Sequence, residues 1–265
     1  MEQRAWSKEQ NNARGFFITG TDTGVGKTII TAALIKATKF LGLSACGMKP
    51  IETGCLKSKF KVKSSKLKVK EEVLIPSDGM FLKEIAGMND SMDLVNPIRF
   101  QNPLAPFPAS EIEGVPVEID KIKKAYSELS KKYDAVFVEG IGGLLVPIKK
   151  DYTVLDLARD FSLPIIVVAR PGLGTINHTM LTVNYAIREG LTVSGIIINH
   201  GQPPEGSLAE ETNQEVIRQL STVPVLGIFP HLDKLDADII EEAAKKTLDI
   251  ETIKRYLSNQ LHSKF

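Results

Sequence analysis

Residues 20–28 read Gly-Thr-Asp-Thr-Gly-Val-Gly-Lys-Thr, a glycine-rich turn that ends in a lysine and a hydroxyl residue. Such a turn, set between a strand and a helix, aims several backbone N–H groups at one point, where the helix dipole also favours an anion. Lys27 adds a positive charge suited to β- and γ-phosphates, and the Thr28 hydroxyl suits a Mg²⁺ bridging them. Gly24, Val25, Gly26, Lys27, Thr28 and Ile29 are therefore the candidate nucleotide cradle. The spacing departs from the common loop G-x-x-x-x-G-K-S/T. Position 21, where the first glycine would fall, is threonine, and the available glycine is Gly20, one residue further out.

Two further stretches carry chemistry. In Asp-Ala-Val-Phe-Val-Glu-Gly-Ile-Gly-Gly (134–143), apolar residues of a strand deliver Glu139 to its carboxyl end. Its carboxylate is a hard oxygen ligand for Mg²⁺; the plainer alternative is a strand-end glutamate in solvent. Gly140, Ile141 and Gly142 follow as candidate nucleotide contacts, and the glycines at 140, 142 and 143 suggest close approach by a ligand. In Gly-Met-Lys-Pro-Ile-Glu-Thr-Gly (47–54), Lys49 ends another strand. A lysine there is often a surface residue with a buried stem, but the nearby phosphate loop favours a role in the site.

The elements that must position these residues are legible as a rhythm. Strand candidates at 15–20, 43–51, 134–140, 163–170, 193–200 and 223–230 have nearly continuous apolar cores, the pattern of strands buried on both faces. Helix patterns fall at 27–40, 116–132, 153–161, 175–189 and 207–220. Strand–helix alternation predicts an α/β fold, a mostly parallel sheet with helices on both faces. Ligands of such sheets sit beyond the carboxyl ends of the strands, where Lys27, Lys49 and Glu139 all lie.

Composition narrows the classes. The 265 residues suit one α/β domain over 15–265 after a polar N-terminal extension, 1–14. With 33 basic against 32 acidic side chains there is no global field for nucleic acid or an anionic membrane. The two cysteines make no disulfide framework, and the chain shows neither a signal peptide nor a membrane-length apolar run, so a cytoplasmic protein is expected. Residues 55–75 hold seven lysines and no arginine; they read as a solvated loop, with a hairpin left open by the partial alternation of lysine and apolar residues. The proline-rich segment 96–114 reads as extended loop over the sheet rim.

Taken in order, GTDTGVGKT, GMKPIETG, VEGIGG and PGLGTINHTMLT resemble the dethiobiotin synthetase family, from about Gly15 to Leu232 with a gap at the lysine-rich segment. The longer loop is part of the resemblance, which implies a P-loop NTPase-like fold. It implies ATP-dependent joining of CO₂ to 7,8-diaminononanoate and closure of a cyclic urea, with ADP and phosphate released. It also implies Lys27 and Lys49 as catalytic residues, and Mg²⁺ held by Thr28, Asp78 and Glu139. Asn199 would read the adenine, flanked by Pro230, His231 and Leu232; Thr53, Gly174, Thr175 and Asn177 would meet the substrate. Thr175 is also a plausible N-cap for the helix that follows. A homodimer is implied, with the neighbouring subunit helping to bind the acid tail. The family often has an acidic residue where this chain has Gly24, so any role of that acid is met otherwise or absent.

Three other classes of protein fit parts of this pattern. A septum-positioning or partitioning ATPase shares the fold but carries a lysine early in the loop, where this chain has Asp22. A cobyrinic-acid-type amide ligase usually adds a glutaminase domain, for which this chain is too short. Binding of acidic polymers through the lysines of 55–75 is opposed by the near-zero net charge.

Overall fold

The structure, a computed structural model, describes residues 14–61 and 70–262. The expected N-terminal extension therefore lies outside the described residues except for Arg14, as does the middle of the lysine-rich run, 62–69.

Six parallel strands form the main sheet: β1 (Arg14–Gly20), β2 (Ala45–Met48), β3 (Ala135–Glu139), β4 (Ile165–Ala169), β5 (Val193–Asn199) and β6 (Val225–Phe229). Their order is β6-β5-β4-β1-β3-β2, so β3 returns to lie between β1 and β2. Phe17 of β1 stands level with Ile165 on one side and Val138 on the other. Gly15 is required by this pairing: at φ +142°, a Cβ there would sit 1.9 Å from the Val136 carbonyl oxygen.

Neighbouring side chains of a strand point to opposite faces, and β1 shows what covers each. Phe17 packs at 6.3 Å between ring centroids on Phe161 of α4 (Val154–Phe161), whereas Phe16 packs at 6.2 Å on Tyr256 of α8 (Ile250–His262). Both rings are fully buried, and truncating either to alanine is expected to cost about 3–5 kcal/mol. The remaining long helices are α1 (Lys27–Phe40), α2 (Ser77–Ile85), α3 (Ile119–Lys132), α5 (Thr175–Arg188), α6 (Leu208–Leu220) and α7 (Ala237–Thr247). In α1, Ile30, Ala33, Leu34 and Ala37 are buried, and Lys36 bridges to Glu241 of α7 at 2.8 Å.

Two expectations are corrected. The segment 55–75 is not simply a solvated loop: Leu56–Lys61 and Lys70–Ile75 pair antiparallel in a two-stranded sheet of their own. The alternation of lysine and apolar residues with period two, the side-chain period of a strand, outweighed the density of charge. The segment 96–114 is not extended throughout. Ile98–Arg99 pairs parallel with Ile51–Glu52, and Pro106–Glu113 is helical. Proline suits a first helical turn, whose amides have no partner within the helix.

Helices α2, α7 and α8, and the small hairpin of Pro147–Lys149 with Tyr152–Thr153, were not read from the sequence. Cys46 and Cys55 are both free and buried. No described helix is long and apolar enough to cross a membrane.

The C-terminal end of α3 is tied to the rest of the molecule through Asp90. Its carboxylate accepts from Lys132 Nζ at 2.7 Å and Tyr133 Oη at 2.5 Å. Burial pushes the Asp90 carboxyl up, but these two donors outweigh it and hold it below the usual carboxylate range. A depressed carboxyl contributes stability that is present above the unfolded value and lost as pH falls through the folded one. Asp90→Ala is therefore expected to cost about 1–3 kcal/mol at pH 7. In urea melts that deficit should shrink as the pH is taken down into the acid range.

Candidate active site

The site is built at the carboxyl ends of three adjacent strands, β1, β3 and β2. The turn after β1 closes on Gly26, the N-cap of α1, at φ +87° in the left-handed region. There the absence of a side chain matters twice: the backbone favours glycine, and a Cβ would lie 2.0 Å from the Asn199 amide nitrogen. Gly26→Ala is expected to displace Asn199 and reshape the loop, weakening nucleotide binding at least tenfold by calorimetry, with the β-sheet circular dichroism unchanged; about 1.4 kcal/mol of strain suffices for that factor.

Lys27 folds back over the turn and donates to the Asp22 carbonyl oxygen at 3.1 Å. It is buried; desolvation, helped by the nearby Lys49 charge, lowers its pKa to about 8. Asp22 is itself held: its carboxylate accepts from the Thr23 amide at 2.7 Å and from Arg170 at 2.5 Å. Arg170 follows β4 on the same rim, and only its place after an apolar strand marked it in the sequence.

Glu139 ends β3 and is 1% exposed. Its Oε1 accepts from Thr28 Oγ1 at 2.9 Å and from Lys49 Nζ at 2.5 Å. Its Oε2 is buried and has no hydrogen-bond partner among the described residues. The solvent-exposed reading of Glu139 is thereby overturned, as is the surface reading of Lys49, which is 4% exposed. Lys49 Nζ also lies 3.1 Å from Asp78 Oδ2. Burial pulls the Lys49 pKa down, but Glu139 and Asp78 outweigh it and hold the ammonium above its ordinary range.

The backbone of Lys49 is fixed by Asn96, whose amide donates to the Lys49 carbonyl at 2.6 Å, and by its own N–H, which donates to the Val95 carbonyl at 2.8 Å. Asp78 enters from the first turn of α2. Lys27, Lys49, Thr53, Asp78 and Glu139 line one cavity of about 680 Å³. It is rimmed by Leu104 and Ala105, which sequence reasoning missed because they lie in the misread proline-rich segment.

Not every nominated residue converges there. Gly24, Gly26, Thr28, Ile141 and Gly142 line the cavity, while Val25 is buried beneath the turn and Ile29 lies in the first turn of α1. The glycines after Glu139 answer to the protein's own packing: a Cβ at Gly140 would meet the Phe17 ring at 3.0 Å, and one at Gly142 would meet Val146 at 2.7 Å. Thr175 is not an N-cap. Gly174 holds that position at φ +88°, and Thr175 is buried with its hydroxyl 3.3 Å from that of Thr179. Asn177 is exposed on α5, and neither it nor Gly174 lines the cavity.

Asn199, at the end of β5, is 2% exposed and donates from its amide to the Val25 carbonyl at 2.9 Å. It braces the back of the phosphate loop with one of its two amide hydrogens. Pro230, His231 and Leu232 follow β6, half-buried and outside the lining of the cavity.

The donor set suits magnesium. It comprises a hydroxyl and two carboxylates, all hard oxygens, with Glu139 Oε2 buried and unpartnered among the described residues. Among the described residues no group of three His, Cys, Asp or Glu could hold a metal. Magnesium usually binds through one or two carboxylates together with substrate phosphates, so the ion would arrive with a nucleotide.

A family model described as an AAA domain matches residues 14–238. The chain is 48% identical over 246 residues to the ATP-dependent dethiobiotin synthetase BioD of Thermodesulfovibrio yellowstonii, covering 90% of this chain and 98% of that one. It is 37% identical to the protein of that name from Bacillus cereus, covering 93% and 96%, and 38% identical to that from Methanocaldococcus jannaschii, covering 84% and 96%. Among solved structures, the septum site-determining protein MinD complexed with Mg-ADP from Pyrococcus horikoshii is similar with a TM-score of 0.51 at 16% identity. That alignment covers 88% of this chain and 95% of that one, and at such identity the likeness bears on the fold alone.

Proposed function

The chain belongs to the ATP-dependent dethiobiotin synthetases, and from that premise we propose how its residues divide the work of the reaction. The activity is that of the family, an ATP-dependent ligase of biotin biosynthesis. In the course proposed, one amine of 7,8-diaminononanoate adds to CO₂ and loses a proton, giving a carbamate. A carbamate oxygen attacks the γ-phosphorus of ATP, and the bond to the bridging oxygen breaks, releasing ADP. The second amine then attacks the carbamate carbon; the bond to the phosphoryl oxygen breaks, phosphate leaves, and the loss of a proton completes the cyclic urea.

The observation that carries this reading is the pair of lysines in one cavity, Lys27 on the phosphate loop and Lys49 between two carboxylates. The reaction gathers a carbamate anion next to a triphosphate, so it needs fixed positive charge at their junction and no protein nucleophile. Lys27 holds the β- and γ-phosphates; Lys49 faces the carbamate and the γ-phosphate. Thr28, Asp78 and Glu139 would hold Mg²⁺, which neutralises β- and γ-phosphate charge when bound. Asn199 meets the adenine with the part of its amide not used on Val25, beside Pro230, His231 and Leu232. Thr53 lies beside the substrate chain.

Gly174, Thr175 and Asn177 sit outside this cavity, so in our reading they act across a homodimer interface, on the acid tail of the diamine bound by the neighbouring subunit. In support, Leu173 is 90% exposed and Leu181 62% exposed on that same loop and helix. Sedimentation of the purified protein should give twice the chain mass, and Leu181→Glu should return the monomer.

The activity is tested by incubating the protein with the diamine, bicarbonate, ATP and Mg²⁺ and measuring dethiobiotin by mass spectrometry. Product that requires the diamine upholds the reading. ATP hydrolysis without product would overturn it.

A further inference from the structure

Helix α2, which brings Asp78 to the site, begins without a capping side chain of its own. Its N-cap is Pro76, and no side chain at that position accepts from the first turn. The leading amides of a helix have no partner inside it and must be satisfied from elsewhere. Here two of them are satisfied by Glu52, a carboxylate 26 and 27 residues earlier in the chain and 3% exposed. Its Oε1 accepts from the Asp78 amide at 3.0 Å and the Ser77 hydroxyl at 3.3 Å, and its Oε2 accepts from the Gly79 amide at 2.9 Å. The helix dipole favours a negative charge at that end.

Glu52 is in turn anchored through its backbone. Its segment, Ile51–Glu52, pairs with Ile98–Arg99, and its carbonyl accepts from the Phe100 amide at 2.9 Å. Lys49 is three residues upstream on the same fixed stretch, and its ammonium meets the Asp78 carboxylate at 3.1 Å. One short segment thus carries both the lysine of the site and the clamp on the backbone of the aspartate facing it.

We propose that Glu52 is a positioning residue: by gripping the amides of Asp78 and Gly79 it fixes the Asp78 carboxylate opposite Glu139, so that a nucleotide-borne Mg²⁺ meets both carboxylates in preset places. The proposal rests on the reading of Asp78 as a magnesium ligand given above. A carboxylate that only stabilised a helix would affect nucleotide binding equally with and without the metal.

The test compares the full chain with Glu52→Ala and Glu52→Gln, titrating ADP by calorimetry in Mg²⁺ and in EDTA, with amide hydrogen exchange followed at residues 78 and 79. In Glu52→Ala the strengthening of ADP binding by Mg²⁺ should fall about tenfold or more, the usual effect of removing a residue that orients a ligand. ADP affinity in EDTA should hold, and the two amides should exchange faster. Glu52→Gln keeps one acceptor oxygen and should lie between, and it carries the test if the alanine variant does not fold. An unchanged Mg²⁺ effect despite faster exchange would overturn the proposal, as would equal loss in Mg²⁺ and EDTA. Absence of any Mg²⁺ effect in the unaltered chain would instead overturn the metal reading of Asp78, and this role with it.

Discussion

Lys49→Ala is expected to lower the rate of dethiobiotin formation by about a thousandfold, the upper end of what one fixed charge stabiliser at a reacting oxyanion supplies. ATP should still bind, since the phosphate loop and Lys27 are untouched. The substitution also leaves Glu139, 1% exposed, without its cation. Breaking a buried pair by removing one partner costs about 3–5 kcal/mol, so the ligand-free variant should melt well below the unaltered chain. Mg²⁺ and nucleotide should recover part of that loss if Glu139 is a ligand, because binding to the native state alone raises apparent stability. Single-turnover product formation and ATP affinity, measured side by side, decide the assignment: equal loss of both would remove Lys49 from the carbamate side.

Lys27→Ala should weaken nucleotide binding about a hundredfold, consistent with losing a charge-assisted contact. The pH profile is more diagnostic. In the free chain burial, then the Lys49 charge, lower the Lys27 pKa to about 8. A bound triphosphate favours the ammonium, so affinity should be flat below that pH and fall above it, by at most about tenfold per pH unit. Lys27→Ala should flatten the profile. Stability carries the opposite sign. The unfolded lysine keeps its proton to about pH 10.4, so stability rises with pH between the two values. At pH 7 Lys27→Ala removes that unfavourable buried charge, so it should cost the ligand-free chain less stability than a buried truncation usually does, even as it loses nucleotide. A profile that still bends near pH 8 in the variant would assign the titration to another group.

Much of this was legible because it was local. The phosphate loop is nine consecutive residues, and Glu139 and Lys49 each end an apolar run, so strand geometry alone sends them to one rim. Asp78 could be nominated only through the family resemblance, since its place depends on a helix the apolar pattern did not reveal. Glu52, Asn96 and Arg170 were missed for a different reason. Each acts through a backbone or carboxylate partner 26 or more residues away, and no spacing rule encodes such a partner. The proline-rich segment was misread because proline marks a helix start as well as a turn, and Pro106 does the former.

The strand order carries a consequence for how the molecule is made. β1 is the first strand of the sheet to leave the ribosome, yet its two neighbours span residues 135–139 and 165–169. At synthesis rates of about 5–20 residues per second, Phe16, Phe17 and Ile18 wait for several seconds as an unpaired apolar strand. Long-range parallel pairing of this kind is slow to form and exposed to aggregation meanwhile. The nascent chain should therefore be a client for holding chaperones until residue 169 is out. A truncated transcript ending before Ala135 should yield insoluble protein, however intact its phosphate loop.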